Sequence, residues 1–163
     1  MRIIGIDPGT GIMGFGVIEK GTTISLVDAG VIRTRPHQPL DERLVEIYES
    51  LQQIIAETKP SIMVIEKLFF SRNVTTAIGV AHARGVAMLA GKQAGLAMIE
   101  YTPKQIKQAV TGYGNADKKQ VQEMVRLQLG LTEVPKPDDC ADAIAAALMH
   151  ATQLIYNKST PTT

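Results

Sequence analysis

Two short segments of this chain are apolar without interruption, Ile3-Ile4-Gly5-Ile6 and Ile62-Met63-Val64-Ile65. Neither alternates with polar residues, so neither suits a strand with one face in water. A continuous run of this length suits a strand covered on both faces. Two such strands call for helices above and below one sheet, and 163 residues suffice for a single domain with a sizeable core. Both runs lead into a carboxylate, Asp7 and Glu66. Acidic side chains are rarely buried without a partner, so a central strand needs a reason to carry one.

Local patterns supply the remaining elements. Gly9-x-Gly11-x-x-Gly14 matches the spacing of a dinucleotide fingerprint, but that motif needs a helix to begin at its glycines. Here Phe15 to Gly21 alternates and reads as a second strand, so the glycines read as a tight strand-to-strand turn. A third strand over Thr23 to Ile32 completes an antiparallel meander. Leu40, Leu44, Ile47, Leu51 and Ile54 then mark an amphipathic helix ending near Lys59-Pro60. The second apolar run, a helix from Val74 to Gln93 and a fifth strand, Ala97 to Tyr101, follow. Thr102-Pro103-x-Gln105 and Asp117-x-x-Gln120 each combine an N-cap with a capping-box partner. Pro135-Lys136-Pro137 stiffens a linker, and Asp138 is placed to cap a last helix from Asp139 to about Tyr156. The expectation is one domain over residues 1–156, a mixed five-stranded α/β sheet flanked by helices, with a disordered tail over 157–163.

Charge and composition leave the partner open. Seventeen basic residues against sixteen acidic ones give a net charge of +1, which neither requires nor excludes nucleic acid. The single cysteine, Cys140, cannot form an internal disulfide, there is no charged-then-apolar leader, and no apolar run approaches about 18 residues. A cytoplasmic protein without a membrane anchor is expected.

The acidic residues are more telling. Asp139 and Asp142 lie three apart at the start of the last helix and share one face. Ala141, Ala143, Ala145, Ala146 and Ala147 around them would let that helix lie close to a sheet. If it meets the strand carrying Asp7, four carboxylates converge. A bare cluster of that kind raises its own pKa values, whereas hard divalent cations are held by carboxylates, water and phosphate. Two ions about 3.5–4 Å apart can activate water and stabilise the leaving oxygen of a phosphodiester. Each residue alone has a plainer reading: an aspartate at a strand end is a common turn former, and Asp139 suits a helix N-terminus.

These residues resemble the RuvC family of Holliday-junction endonucleases, of RNase H-like fold. The resemblance runs from Gly5-Ile6-Asp7-Pro8-Gly9 through Ile65-Glu66-Lys67-Leu68-Phe69-Phe70, Ala83-Arg84-Gly85-Val86 and Lys104-Gln105-Ile106-Lys107 to Asp139-Cys140-Ala141-Asp142-Ala143. It implies that Asp7, Glu66, Asp139 and Asp142 are catalytic and hold Mg²⁺, two ions per site with Asp7 bridging them and Mn²⁺ able to substitute. It places Phe69 against bases at a junction centre, and Lys107 and Lys118 on DNA. It further implies a homodimer nicking a four-way junction symmetrically, leaving 3′-hydroxyl and 5′-phosphate ends, and a RuvA–RuvB branch-migration partner. Lys67 and the second aromatic, Phe70, are mild departures.

The residues themselves add a DNA face and a subunit face. Lys104, Lys107, Lys118 and Lys119 against Asp117 give a local charge of +3 around the loop Thr111-Gly112-Tyr113-Gly114-Asn115, which suits phosphate contact. Phe69 and Phe70, followed by Ser71-Arg72-Asn73, offer rings for stacking and Arg72 for DNA contact, or else pack at a strand end. The helix Val74–Gln93 is small or apolar nearly all round, so one side is left for a second subunit. Two rival readings remain: an RNase H acting on RNA–DNA hybrids, and an actin-like or sugar-kinase-like ATPase domain, whose phosphate loop resembles Ile6-Asp7-x-Gly9-Thr10. The ATPase would need a second related domain, for which there is no second Asp-x-Gly-Thr stretch.

Overall fold

The computed structural model describes residues 1–68 and 74–159, with side chains described over 1–68 and 77–155. Phe69, Phe70 and Arg72 lie outside the described residues, as do 160–163 of the expected tail. In chain order the elements are β1 (Arg2–Asp7), β2 (Ile12–Lys20), β3 (Ile24–Arg33), α1 (Leu40–Thr58) and β4 (Ile62–Glu66). Then come α2 (Val74–Gln93), β5 (Ala97–Tyr101), α3 (Pro103–Thr111), α4 (Lys118–Gln128) and α5 (Asp138–Ser159). The last helix therefore runs three residues past its expected end. No helix among the described residues is long and apolar enough to cross a membrane.

The strands form one sheet in the order β3-β2-β1-β4-β5. β1, β2 and β3 pair antiparallel, and β4 and β5 run parallel to β1. This is the mixed, RNase H-like α/β sheet expected from the sequence. The two uninterrupted apolar runs divide between two cores, as a strand covered on both faces must. Ile3 and Val64 join Ile106, Val121, Ile144 and Leu148 on the side of α3, α4 and α5. Ile4, Ile6, Met63 and Ile65 join Ile47, Leu51, Ala83 and Ala87 on the side of α1 and α2. Each of these six residues of β1 and β4 and their helical partners is nearly or wholly buried, which stabilises the fold by roughly 1.5–3 kcal/mol per large aliphatic side chain.

The approach of α5 is unusually close because the sheet offers it no side chains. A β-carbon built on Gly5 would overlap the carbonyl oxygen of Ala143, and one on Gly14 would overlap that of Asp139. One on Gly16 would strike the Ile144 side chain. Ala141, Ala143, Ala145, Ala146 and Ala147 answer from the helix, each no more than 1% exposed. Gly14 is thus a helix seat inside β2. Only Gly9 and Gly11 of the spaced glycines stand in the turn, which corrects the reading of all three as turn residues.

Helix starts follow the sequence at two places and depart from it at a third. Thr102 Oγ1 accepts from the Gln105 N–H while Gln105 Oε1 accepts from the Thr102 N–H, and Asp117 and Gln120 repeat the exchange. Asp138 does not cap α5. It is the first residue of the helix, and its carboxylate instead accepts from Gln122 Nε2 at 2.8 Å and pairs with Lys118 Nζ at 3.5 Å. The seat on the sheet yields a test. Gly5→Ala should destabilise the protein by at least about 1–3 kcal/mol, because backbone atoms cannot move aside as a flexible side chain can; urea unfolding of the two proteins measures it.

Candidate functional site

Strand register alone brings the first two carboxylates together. β1 and β4 are parallel neighbours paired through Ile6 and Ile65, so Asp7 and Glu66 follow at the same end of adjacent strands. The third arrives through glycine: Gly14 pairs with Asp7 across β1 and β2, and the Asp139 backbone lies directly on Gly14. Asp142 comes one turn later on the same face of α5 and lines a cleft of about 300 Å³ with Glu66, Lys107 and Lys118.

The charges of these groups act on one another strongly. Burial first, then the charges of Asp142, Glu66 and Asp139, push the Asp7 carboxyl from 3.8 up to about 7, and Lys118 opposes the shift. Glu66 is also raised, by burial and then Asp142, against Lys107. Burial raises Asp142 as well, against the hydrogen bond and charge of Lys118. Burial alone would lower the Lys118 pKa, but the hydrogen bonds and charges of Asp142 and Asp138 outweigh it and raise it. The Lys118 Nζ stands 3.2 Å from Asp142 Oδ2.

Asp7, Glu66 and Asp142, all raised in proton affinity, stand with Asp139 as hard oxygen donors of the kind that suits Mg²⁺ or Mn²⁺. Among the described residues no three histidine, cysteine or acidic side chains already stand as a metal cage. Asp142 is turned onto Lys118, the cation within its reach.

The lysines divide into two sets. Lys107 and Lys118 line the acidic cleft. Lys104 lines a different and larger groove, about 600 Å³, with Gln105, Gln108, Met149 and Gln153. Lys119 borders a third, beside Tyr113 and Glu123. The larger groove holds none of the four carboxylates, so volume does not mark the site here; charge does. Cys140 sits between two site aspartates for packing reasons: it is buried in the core under α5, and burial, then Asp28 and Asp139, raise its thiol to about 11.

Sequence reasoning gave no role to Arg84. Its Nε donates to the Glu66 backbone carbonyl at 3.2 Å, and its Nη2 meets Glu100 Oε2 at 2.5 Å. A single arginine amid the alanines of α2 was the available signal. The Tyr101 hydroxyl, which donates to Gln153 Oε1 and shares a buried hydrogen bond with His150 Nδ1, both 2.7 Å, was likewise not legible.

The state of Asp7 sets a pH dependence of stability. Asp7 keeps its proton up to about pH 7 when folded but only to about 3.8 when unfolded. Its contribution is therefore fully present below pH 3.8 and lost as pH rises through 7. In chelator, Asp7→Asn should melt a few degrees above the parent protein at pH 8, with the gap closing towards pH 4. A gap independent of pH in parallel melting curves would remove Asp7 as its source.

Known proteins resemble this chain in sequence and in fold. A family model described as crossover junction endodeoxyribonuclease RuvC matches residues 3–150. The crossover junction endodeoxyribonuclease RuvC of Desulfitobacterium hafniense is 56% identical over 152 residues, covering 93% of this chain and 92% of that protein. Its counterpart from Brevibacillus brevis is 54% identical over 152 residues, covering 93% and 92%. The solved structure of T. thermophilus RuvC in complex with Holliday junction substrate superposes with a TM-score of 0.90 at 36% identity, covering 99% of both chains. With the family's matched region enclosing all four carboxylates, the chain belongs to the RuvC family of crossover junction endodeoxyribonucleases.

Proposed function

We propose that this protein resolves four-way DNA junctions by paired, symmetric nicks, in DNA recombination and repair. The observation that carries the reading is the acidic cleft: carboxylates at the ends of β1, β4 and α5, flanked by Lys107 and Lys118. Asp7, Glu66, Asp139 and Asp142 would hold Mg²⁺, two ions per site, with Mn²⁺ able to substitute. When bound, the metal supplies an activated water and stabilises the leaving oxygen of a phosphodiester. The protein's own part is to fix the carboxylates on rigid strand and helix ends and to keep unpaired negative charge in reserve for the cation. Lys107 and Lys118 would hold the phosphate backbone, and Lys104 and Lys119 would extend that contact outward. Phe69, with Phe70 and Arg72, would engage unstacked bases at the exchange point, where an aromatic ring can stack at low cost.

Symmetric nicking needs two active sites, and α2 offers the surface to pair them. Ala77, Ala83, Ala87 and Ala90 are buried within the subunit, whereas Ile78, Ala81, Gly85 and Leu89 form an exposed stripe at helical spacing. A twofold contact through this stripe would make a homodimer. The family reading also brings a RuvA–RuvB branch-migration complex as partner, and a DNA substrate in the cytoplasm.

The test offers the protein a four-way junction, a linear duplex and an RNA–DNA hybrid in Mg²⁺. The junction should be cut and the others spared; preference for the hybrid would instead mark an RNase H. Asp7→Asn should abolish cleavage, by at least 100-fold on the order of magnitude of lost electrostatic catalysis, while junction binding in chelator persists. Near-wild-type cleavage by this variant would falsify the role of Asp7. Ala81→Glu should shift the protein towards monomer, since it would place an unpaired charge in the contact; sedimentation at micromolar concentration decides, and an unaltered dimer moves the interface elsewhere.

A further inference from the structure

Ala83-Arg84-Gly85-Val86 lies in the middle of α2 and contributes no side chain to the acidic cleft. Arg84 is nevertheless only 18% exposed at its side chain, on a helix whose neighbouring residues are small. Its two contacts fall on adjacent parallel strands. Nε donates to the carbonyl oxygen of Glu66, the last residue of β4, and Nη2 pairs with Glu100, the next-to-last residue of β5. The Lys67 N–H donates to the Tyr101 carbonyl at 2.8 Å. The Glu66 carbonyl and the Lys67 N–H belong to one peptide group. Both of its polar atoms are therefore held, one by α2 and the other by β5.

A peptide bonded at both ends has a fixed plane, and fixing that plane fixes ψ of the residue before it. Glu66 is that residue. We propose that Arg84 is a positioning residue for the acidic site: it locks the peptide after Glu66 and so sets where the Glu66 carboxylate stands. Glu100 orients the guanidinium for this task, since a planar fork anchored at one edge presents its remaining donors in a set direction. The proposal rests on the reading of Glu66 as a metal-holding nuclease residue. Gly85, next to Arg84, lies on the exposed stripe of α2. The clamp therefore ties the proposed subunit contact to the reach of a catalytic carboxylate.

Arg84→Lys tests this directly. Lysine keeps the charge and can pair with Glu100, but it has no second donor rigidly placed for the Glu66 carbonyl. Single-turnover cleavage of a four-way junction at saturating enzyme should slow about 10-fold or more, since small misplacements of catalytic groups are costly. Mn²⁺ affinity of the DNA-free protein, read by calorimetric titration, should fall several-fold. Junction affinity in chelator, sedimentation and melting should stay as in the parent. Wild-type cleavage and Mn²⁺ binding by Arg84→Lys would overturn the proposal, because charge alone would then suffice. If Arg84→Lys melts early or dissociates, Glu100→Gln decides: slower cleavage and weaker Mn²⁺ binding at unchanged melting support the clamp, and parent-like values for both overturn it. Should the parent protein leave junctions uncut, the nuclease reading falls, while the Mn²⁺ titrations still decide the clamp.

Discussion

The whole site depends on how closely one helix can lie on the sheet. Gly5, Gly14 and Gly16 leave backbone where side chains would otherwise stand, and α5 meets them with alanine and its own backbone. A layer of ordinary side chains would hold helix and sheet about 10 Å apart at their axes. Without that layer the Asp139 carbonyl rests on Gly14, the residue paired with Asp7. The distance between the acidic residues of α5 and those of the strands is therefore set by the absence of three β-carbons. Rigidity comes with it, since backbone against backbone has no rotamers to adjust.

That closeness has an electrostatic cost. Partly buried carboxylates near one another raise each other's proton affinity, and Asp7 carries the largest burden because burial and three acidic neighbours act together. A protein selected only for stability would replace at least one of them. Keeping all four makes sense where a cation arrives to compensate, and the lysines at the rim of the cleft meet part of the imbalance in the meantime. The two cores, one on each face of the sheet, supply the stability that the site gives up.

Much of this was readable in the residues. The uninterrupted runs of β1 and β4 announce strands covered on both faces, and their terminal carboxylates point to one end of the sheet. The capping boxes at Thr102 and Asp117 locate two helix starts to the residue, because the side-chain exchange is local. What failed was tertiary. Gly14 looks like a turn residue in sequence because nothing local reveals the helix lying on it. Asp138 resembles an N-cap until Lys118 and Gln122, from a different helix, take its carboxylate. Arg84 was visible within a family segment but its partner is a backbone carbonyl 18 residues away, which leaves no mark on the sequence.

The pairing of Lys118 with Asp142 and Asp138 has a consequence for ionic bookkeeping. An ammonium shared between two carboxylates already has its charge largely offset, so it offers DNA less positive charge than a free lysine. To neutralise a phosphate it must leave Asp142, and it then releases one small cation from the DNA while exposing a carboxylate that gathers one in return. The net monovalent release from that lysine is close to zero, and the protein's salt dependence should count fewer lysines than its surface displays. On the proposed roles of Lys118 and Asp142, a divalent returning cation would couple the two ligands: DNA would draw the lysine away and open Asp142 to metal, and metal at Asp142 would free the lysine for DNA. Each partner then strengthens the other through a single side chain changing sides.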